Sequence, residues 1–305
     1  MEFKVLILGS NSALPAHGRH PSAQLINIHD QLYLMDCGEG TQMQLDRYDA
    51  KKSRIDCVFI SHLHGDHYFG LFGLLTTYNL MQRTQPLKVF GPAGLKKMIS
   101  TVIHGTGNEL KYELKIVELD FDEGPQLITE DRESRVVAFP LQHRIPTYGF
   151  IFEEKKVRVK LDGRLLDQHR VPEGMREEIR AGRDFTDENG KRYPASYFQS
   201  EKITPGKYAY CSDTRYFEEL ADYVEGVDLL YHEATFLDSE KERAEKTMHS
   251  TARQAAEIAK NAEVRRLLLG HFSSRYKSLT DFSKEAQSVF PHTYLAEEGN
   301  VFSIG

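Results

Sequence analysis

Cysteine is scarce in this chain of 305 residues, with Cys37, Cys57 and Cys211 its only three. They are too few and too scattered for a disulfide framework, and a reducing cytoplasm is the simplest compartment for such a sequence. None has a Cys-x-x-Cys spacing, so a thiolate zinc site is not expected. Long apolar runs are missing too: none approaches the ~18 to 20 residues of a membrane span. The start, Met1-Glu2-Phe3-Lys4-Val5-Leu6-Ile7-Leu8-Gly9, turns polar too soon for a signal peptide and reads as a first β-strand ending in a glycine turn. There is no excess of positive charge. The formal net charge of -6 argues mildly against a nucleic-acid partner, but binding depends on where the basic groups lie, not on their sum. No tandem repeat or long low-complexity tract is visible.

Its length is enough for one large domain or two small ones, and with about 40% of the residues apolar a substantial core can be buried. Short β-like runs cover residues 5–8, 24–28, 32–35, 57–60, 114–119, 135–139, 148–152, 208–211 and 229–231, and 266–269 reads as a buried strand. Helical spacing covers 69–81 and 95–103, and 251–260 reads as an alanine-rich helix. This mixture predicts a layered α/β domain. One stretch, 153–200, breaks the rhythm, being dense in charge of both signs, punctuated by Gly and Pro and poor in apolar residues. It reads as an insertion or protruding arm, or else as a solvated surface loop.

The strongest chemical signal is Ser61-His62-Leu63-His64-Gly65-Asp66-His67, directly after the apolar run Cys57-Val58-Phe59-Ile60. Three imidazoles and a carboxylate within six residues suit zinc, with manganese or iron as alternatives. A buried strand would hold the loop still, and Gly65 would let it turn tightly. Further ligands are expected from other strand ends. His143, Asp213 and His271 each follow an apolar run, as His62 does, and convergence of strand ends is how an α/β sheet builds a site. Taken singly, each would be an ordinary histidine or a turn aspartate.

The pattern His-x-His-x-Asp-His, then isolated His, Asp and His, resembles the metallo-β-lactamase fold. The resemblance implies a four-layered αββα sandwich with the metals at one edge of its two sheets, as a single domain over residues 1–305 with an inserted flexible arm at 153–200. A narrower resemblance follows. His232-Glu233-Ala234-Thr235 and His249-Ser250-Thr251 are similar to two motifs of the ribonuclease Z family of tRNA 3′-processing endonucleases. Gly38-Glu39-Gly40-Thr41-Gln42, with Asp36 before it, resembles another segment of that family. The arm falls where the family carries its tRNA-binding exosite. Two departures stand out. The family's Pro-x-Lys-x-Arg-Asn loop corresponds here to Pro15-Ala16-His17-Gly18-Arg19-His20, and the Gly-Pro pair of its arm tip is absent from Val171-Pro172-Glu173-Gly174-Met175.

The resemblance implies two Zn2+ per subunit, one held by His62, His64 and His143, the other by Asp66, His67 and His271, with Asp213 bridging. It implies that Asp66 also takes or orients the proton of the attacking water. His249, oriented by Glu233, would donate to the leaving ribose oxygen, and His232 would be structural. Lys155, Lys156, Arg158, Lys160 and Arg164 of the arm would contact tRNA phosphates. A homodimer, precursor tRNA as substrate and no membrane association complete the expectation. The rivals are a lactamase-fold hydrolase of a small phosphodiester or (thio)ester, and a non-catalytic RNA-binding or assembly protein that keeps the fold.

Overall fold

The structure is a computed structural model describing residues 3–305 apart from Thr106, Asn108 and Lys156, and leaving out the side chains of Arg158 and Ile203. The chain first lays down β1 (Phe3–Gly9), β2 (Ala23–Ile28), β3 (Gln31–Met35), β4 (Ile55–Phe59), β5 (Leu87–Pro92) and β6 (Leu114–Leu119). It then forms β7 (Gln126–Glu130), β8 (Ser134–Leu141) and β9 (Thr147–Glu154). Four short strands follow outside the main sheets: β10 (Arg158–Leu161), β11 (Phe185–Thr186), β12 (Arg192–Tyr193) and β13 (Gln199–Ile203). The chain returns through β14 (Lys207–Cys211), β15 (Leu229–Glu233), β16 (Leu267–Gly270), β17 (Thr293–Leu295) and β18 (Val301–Ser303). One seven-stranded sheet has the order β18-β1-β2-β3-β4-β5-β6 and the other β17-β16-β15-β14-β9-β8-β7.

Period-2 alternation explains the layering, since successive strand side chains point to opposite faces. In β4, Cys57 and Phe59 enter the core between the sheets, and Val58 faces the opposite way. In β14, Tyr208 and Tyr210 point into that core while Ala209 and Cys211 point out. Helices Gly65–Leu80 and Leu95–Gly105 cover the outer face of the first sheet, and Ala252–Asn261 covers that of the second. The result is helix, sheet, sheet, helix, the expected αββα sandwich.

Strand direction places the site. β3, β4, β5 and β6 are parallel, and β1 shares their direction through two antiparallel steps. β14, β15 and β16 are parallel, and β8 runs with them because β9 opposes both β8 and β14. The carboxyl ends of β1, β3, β4, β8, β14, β15 and β16 therefore supply the loops from which a site is built.

Three sequence expectations change. The helix expected over 69–81 begins at Gly65, inside the histidine motif, because the backbone leaves His64 extended and turns helical at once. None of the strand-like runs in the sequence covers β5. Its Gly91-Pro92 end, after Pro86, carries turn residues that mask a buried strand. The segment between β9 and β14 is also more structured than its charge suggests. It lies slightly later than 153–200, since β9 runs through Glu154 and β13 through Ile203. Leu166, Val171, Ile179, Phe185, Ala195 and Phe198 form a small core of its own, and Asp162 caps helix Gly163–Gln168. Its two ends meet: Glu154 N–H donates to the Gly206 carbonyl at 3.0 Å, and Gly206 N–H donates to Glu154 Oε2 at 2.7 Å. Among the described residues no helix is long and apolar enough to cross a membrane, and the three cysteines are buried free thiols.

Candidate metal centre

After β4 the chain leaves the sheet, and His62 and His64 follow on the connecting loop. Asp66 and His67 lie in the first turn of helix Gly65–Leu80, where the helix dipole favours a carboxylate. His143 follows β8, Asp213 follows β14 and His271 follows β16. Asp36, Asp213 and His271 have φ of 54°, 53° and 57°. Non-glycine residues are uncommon in this left-handed region, and Asp and His are among the types that tolerate it. The turned backbone aims these side chains inward.

Two groups of donor atoms hold the expected ligands, and a third joins His249 to Asp213 and His271. In the first, His62 Nε2 lies 3.0 Å from His64 Nδ1, and His143 Nε2 lies 3.3 Å from the same atom. In the second, His67 Nε2 is 3.3 Å from His271 Nε2, and each is 3.5 Å from Asp66 Oδ2. Asp213 divides between them. Its Oδ2 is 3.4 Å from His62 Nε2 and 3.7 Å from His143 Nε2, while its Oδ1 is 3.2 Å from His67 Nε2 and 3.1 Å from His271 Nε2. Donors about 2.0 to 2.1 Å from a tetrahedral ion are separated by roughly 3.3 Å. The donor set and its spacing thus fit metal ions, and all seven residues expected as ligands are brought together.

In His62, His67, His143 and His271 the opposite ring nitrogen is anchored, which fixes the tautomer. His143 Nδ1 donates to the Met248 carbonyl at 2.9 Å, leaving its Nε2 lone pair free. His67 Nδ1 donates to Asp36 Oδ2 at 2.7 Å. Ser61 Oγ donates to Asp36 at 2.9 Å and so accepts from His62 Nδ1 at 3.0 Å. Thr235 Oγ1 donates to Glu233 Oε2 at 2.6 Å and accepts from His271 Nδ1 at 2.9 Å. Such partners orient metal-binding histidines. Thr235 and Met248 were not singled out from the sequence. Thr235 sits in the His-Glu-Ala-Thr motif and was legible there as a hydroxyl, whereas Met248 acts through its carbonyl and left no signal.

Asp36 is fully buried and also accepts from Ser61 N–H at 2.7 Å and from the Tyr210 hydroxyl at 2.8 Å. Asp36→Ala should remove the carboxylate that anchors His67, leaving only Ser61 Oγ at 3.3 Å, and lower metal affinity about 10- to 100-fold, measured by competition with a chromophoric chelator. Unchanged affinity would mean that packing and Ser61 suffice to hold the ring.

The electrostatics divide the histidines. Burial pushes His64 and His143 down to about 4, and lowers His62 as well. These rings are neutral with lone pairs available. Burial also opposes charge on His67, but Asp213, Asp66 and Asp36 outweigh it and raise it well above its usual value. A metal entering there displaces that proton. Burial opposes ionisation of Asp66 and Asp213, yet the imidazoles around them hold both carboxyls below the usual range.

Glu233, the last residue of β15, is fully buried and 2.7 Å from His249 Nδ1. Its Oε1 also accepts from Thr214 N–H at 2.8 Å. Burial works against charge on His249, but the Glu233 carboxylate prevails and it is pushed up to about 9. His249 is also within 4.8 Å, donor to donor, of Asp213 and His271, so it borders the second group. The rest of its motif is structural: Ser250 Oγ donates to the Thr214 carbonyl at 2.7 Å, and Thr251 caps helix Ala252–Asn261 in a capping box with Gln254. His232 is fully buried and bonds the Glu233 carbonyl through Nδ1 at 2.7 Å.

Gly38 and Gly70 explain the glycine segment near Asp36. A Cβ on Gly70 would meet the Gly38 carbonyl oxygen at 2.1 Å, and one on Gly38 would meet that of Asp66 at 2.4 Å. Close backbone approach therefore seats the helix that carries Asp66 and His67. The loop after β1 adds Ala13, whose N–H donates to Asp66 Oδ2 at 2.7 Å. In that loop Arg19 is used structurally, donating to Asn11 Oδ1 at 2.8 Å and to the Tyr276 carbonyl at 2.6 Å. His20 bonds Glu298 through Nδ1 at 2.9 Å.

A cleft of about 460 Å³ opens onto the centre, lined by His64, Asp66, Asp213 and His249 and bordered by Phe69 and Arg144. Of the basic residues expected to touch substrate, those that are described line no part of this cleft. Lys155 bonds Glu130 Oε2 at 3.2 Å and the Asp131 carbonyl at 2.8 Å. Lys160 is paired loosely with Glu201 at 3.7 Å across β10 and β13, and Arg164 is exposed in helix Gly163–Gln168. Lys156 and the Arg158 side chain lie outside the described residues.

Comparison with known proteins matches residues 183–272 to a beta-lactamase superfamily domain and residues 3–168 to the family of the anti-Pycsar protein Apyc1. The latter match stops short of Asp213, Glu233, His249 and His271. Ribonuclease Z of Parabacteroides distasonis is 42% identical over 303 residues, covering 99% of both chains. Among solved structures, the short form of human tRNase Z superposes with a TM-score of 0.71 at 29% identity, over 99% of each chain. The metallo-beta-lactamase fold protein YhfI of Bacillus subtilis gives the same TM-score at 18% identity, which speaks to the fold alone.

Proposed function

Because the chain belongs to the ribonuclease Z family, we propose that it removes the 3′ trailer from precursor tRNA with two zinc ions per subunit. It is a hydrolase, a tRNA 3′-processing endonuclease on the metallo-β-lactamase fold. The observation that carries the zinc reading is the division of Asp213 between two donor groups, one oxygen to each. When bound, a zinc pair brings the pKa of water from 15.7 to about 7 and offsets negative charge on the scissile phosphate.

The protein's own residues do the rest. Asp66 faces the cleft, steadied by Ala13 N–H, and takes or orients the proton of the attacking water. As the water oxygen bonds to phosphorus, the bond to the ribose 3′-oxygen breaks. His249 holds its Nδ1 proton against Glu233, leaving Nε2 to protonate that oxygen. The tRNA then ends in 3′-OH and the trailer begins with a 5′-phosphate. The test is to incubate the protein with a precursor tRNA and map the cut. Cleavage anywhere but just 3′ of the discriminator base, or next to an encoded CCA, sinks this reading.

The segment between β9 and β14 serves, in this reading, as the tRNA-binding arm, with Lys155, Lys156, Arg158, Lys160 and Arg164 as its phosphate contacts. It leaves at the carboxyl end of β9, which pairs with the start of β14, whereas Asp213 follows the end of β14. Eight residues of β9 separate these edges by roughly 25 Å at about 3.3 Å per residue. A homodimer in which one arm presents tRNA to the partner's metals fits that separation. The buried free thiols accord with a cytoplasmic enzyme. Replacing residues 155–206 by a short turn should abolish precursor cleavage while sparing hydrolysis of a chromogenic phosphodiester. Full retention of tRNA cleavage would show that this segment is not the tRNA-binding arm; a full-length protein that hydrolyses the phosphodiester but leaves precursor tRNA uncut would favour a small-phosphodiester hydrolase.

A further inference from the structure

We propose that Phe69 is the stacking platform for the nucleotide beside the scissile phosphate, an inference that rests on the tRNA reading above. Phe69 is 59% exposed at the border of the metal cleft, in the helix that begins within the ligand motif. A single exposed aromatic is ordinary on a protein surface, so the argument comes from its setting. The ring packs against Gly65, the residue between His64 and Asp66. A Cβ at Gly65 would sit 2.3 Å from Phe69 Cε2, so glycine there is what allows the ring its place. The Tyr68 ring buttresses it edge-on at 5.0 Å. Contacts with Gly65 and Tyr68 therefore place the platform beside two of the metal-ligand positions.

Its surroundings suit a single-stranded nucleotide. Leu14, 50% exposed, lines the same cleft. Arg144 also lines it and has no carboxylate partner among the described residues. A flat aromatic face with a free cation nearby is how proteins hold unpaired bases and their phosphates, and bases outside a helix are the ones that stack on side chains. The strand at the cut must be unpaired to reach donors recessed in the cleft. Stacking asks nothing of base identity, which suits trailers of varied sequence.

The experiment is a cycle. Wild type, Phe69→Ala and Phe69→Tyr are assayed on an intact precursor and on precursors with an abasic nucleotide immediately 5′ or 3′ of the cut. Phe69→Ala should raise KM about tenfold, the scale of one lost base–aromatic stack, with a smaller change in kcat, and Phe69→Tyr should restore it. One of the two abasic precursors should show a similar loss with wild type and no further loss with Phe69→Ala. If both abasic losses add in full to the Phe69→Ala loss, the stack is overturned. Loss of bound metal in Phe69→Ala also overturns it, since the ring would then be propping the Gly65 turn. An inactive wild type would overturn the tRNA reading itself.

Discussion

Asp213→Asn should empty both metal positions together and reduce precursor cleavage to background. Asparagine keeps the size of the side chain and tolerates the left-handed backbone at φ 53°, so the change removes charge and one acceptor rather than the fold. A neutral amide has one acceptor oxygen, and here two are used, one toward His62 and His143 and one toward His67 and His271. The measurement is metal per chain by elemental analysis, paired with thermal unfolding. A metal at a thousandfold excess over its Kd stabilises by about 4 kcal/mol. A chelator should therefore lower the Tm of wild type and leave that of Asp213→Asn unmoved. Retention of one ion at full occupancy would show that Asp213 belongs to a single site.

Most of this centre was legible because its ligands stand where apolar runs stop. His62, His143, Asp213 and His271 each end a buried strand, and strand ends of common direction must converge. What supports the ligands was harder to read. His143 is anchored by a carbonyl 105 positions away, and a carbonyl carries no trace of its residue type. Thr235 reaches His271 across 36 positions, a contact made only when β15 and β16 pair. The segment between β9 and β14 misled for a different reason. Its charges are largely spent on each other, Arg183 with Glu178 at 2.7 Å and Arg192 with Asp184 at 2.8 Å. Its core residues, Phe185 and Phe198 among them, are too widely spaced to register as an apolar run. Density of charge there signalled internal pairing as much as solvation.

His249→Ala should slow cleavage of precursor tRNA by about 10²- to 10⁴-fold, the range for removing a general acid, with metal content unchanged. The control is needed because His249 lies within donor distance of Asp213 and His271. A parallel loss of metal would make it a ligand. The role of Glu233 separates on the pH axis. A donor must be protonated, so the rate holds below the pKa of His249 and falls tenfold per unit above it. Glu233 raises that pKa, to about 9 before any metal charge acts, and Glu233→Gln removes the raising charge. The alkaline limb should therefore move to lower pH in the variant. Metal cations lower His249 in both proteins, so the direction of the difference survives them. Glutamine also places an NH2 against existing donors, either Thr214 N–H and His249 Nδ1 or the Thr235 N–H and hydroxyl. Some loss of stability, on the order of 1 to 3 kcal/mol, is expected as well. An unstable variant that kept the wild-type alkaline limb would make Glu233 a structural acceptor alone and leave the proton to another group.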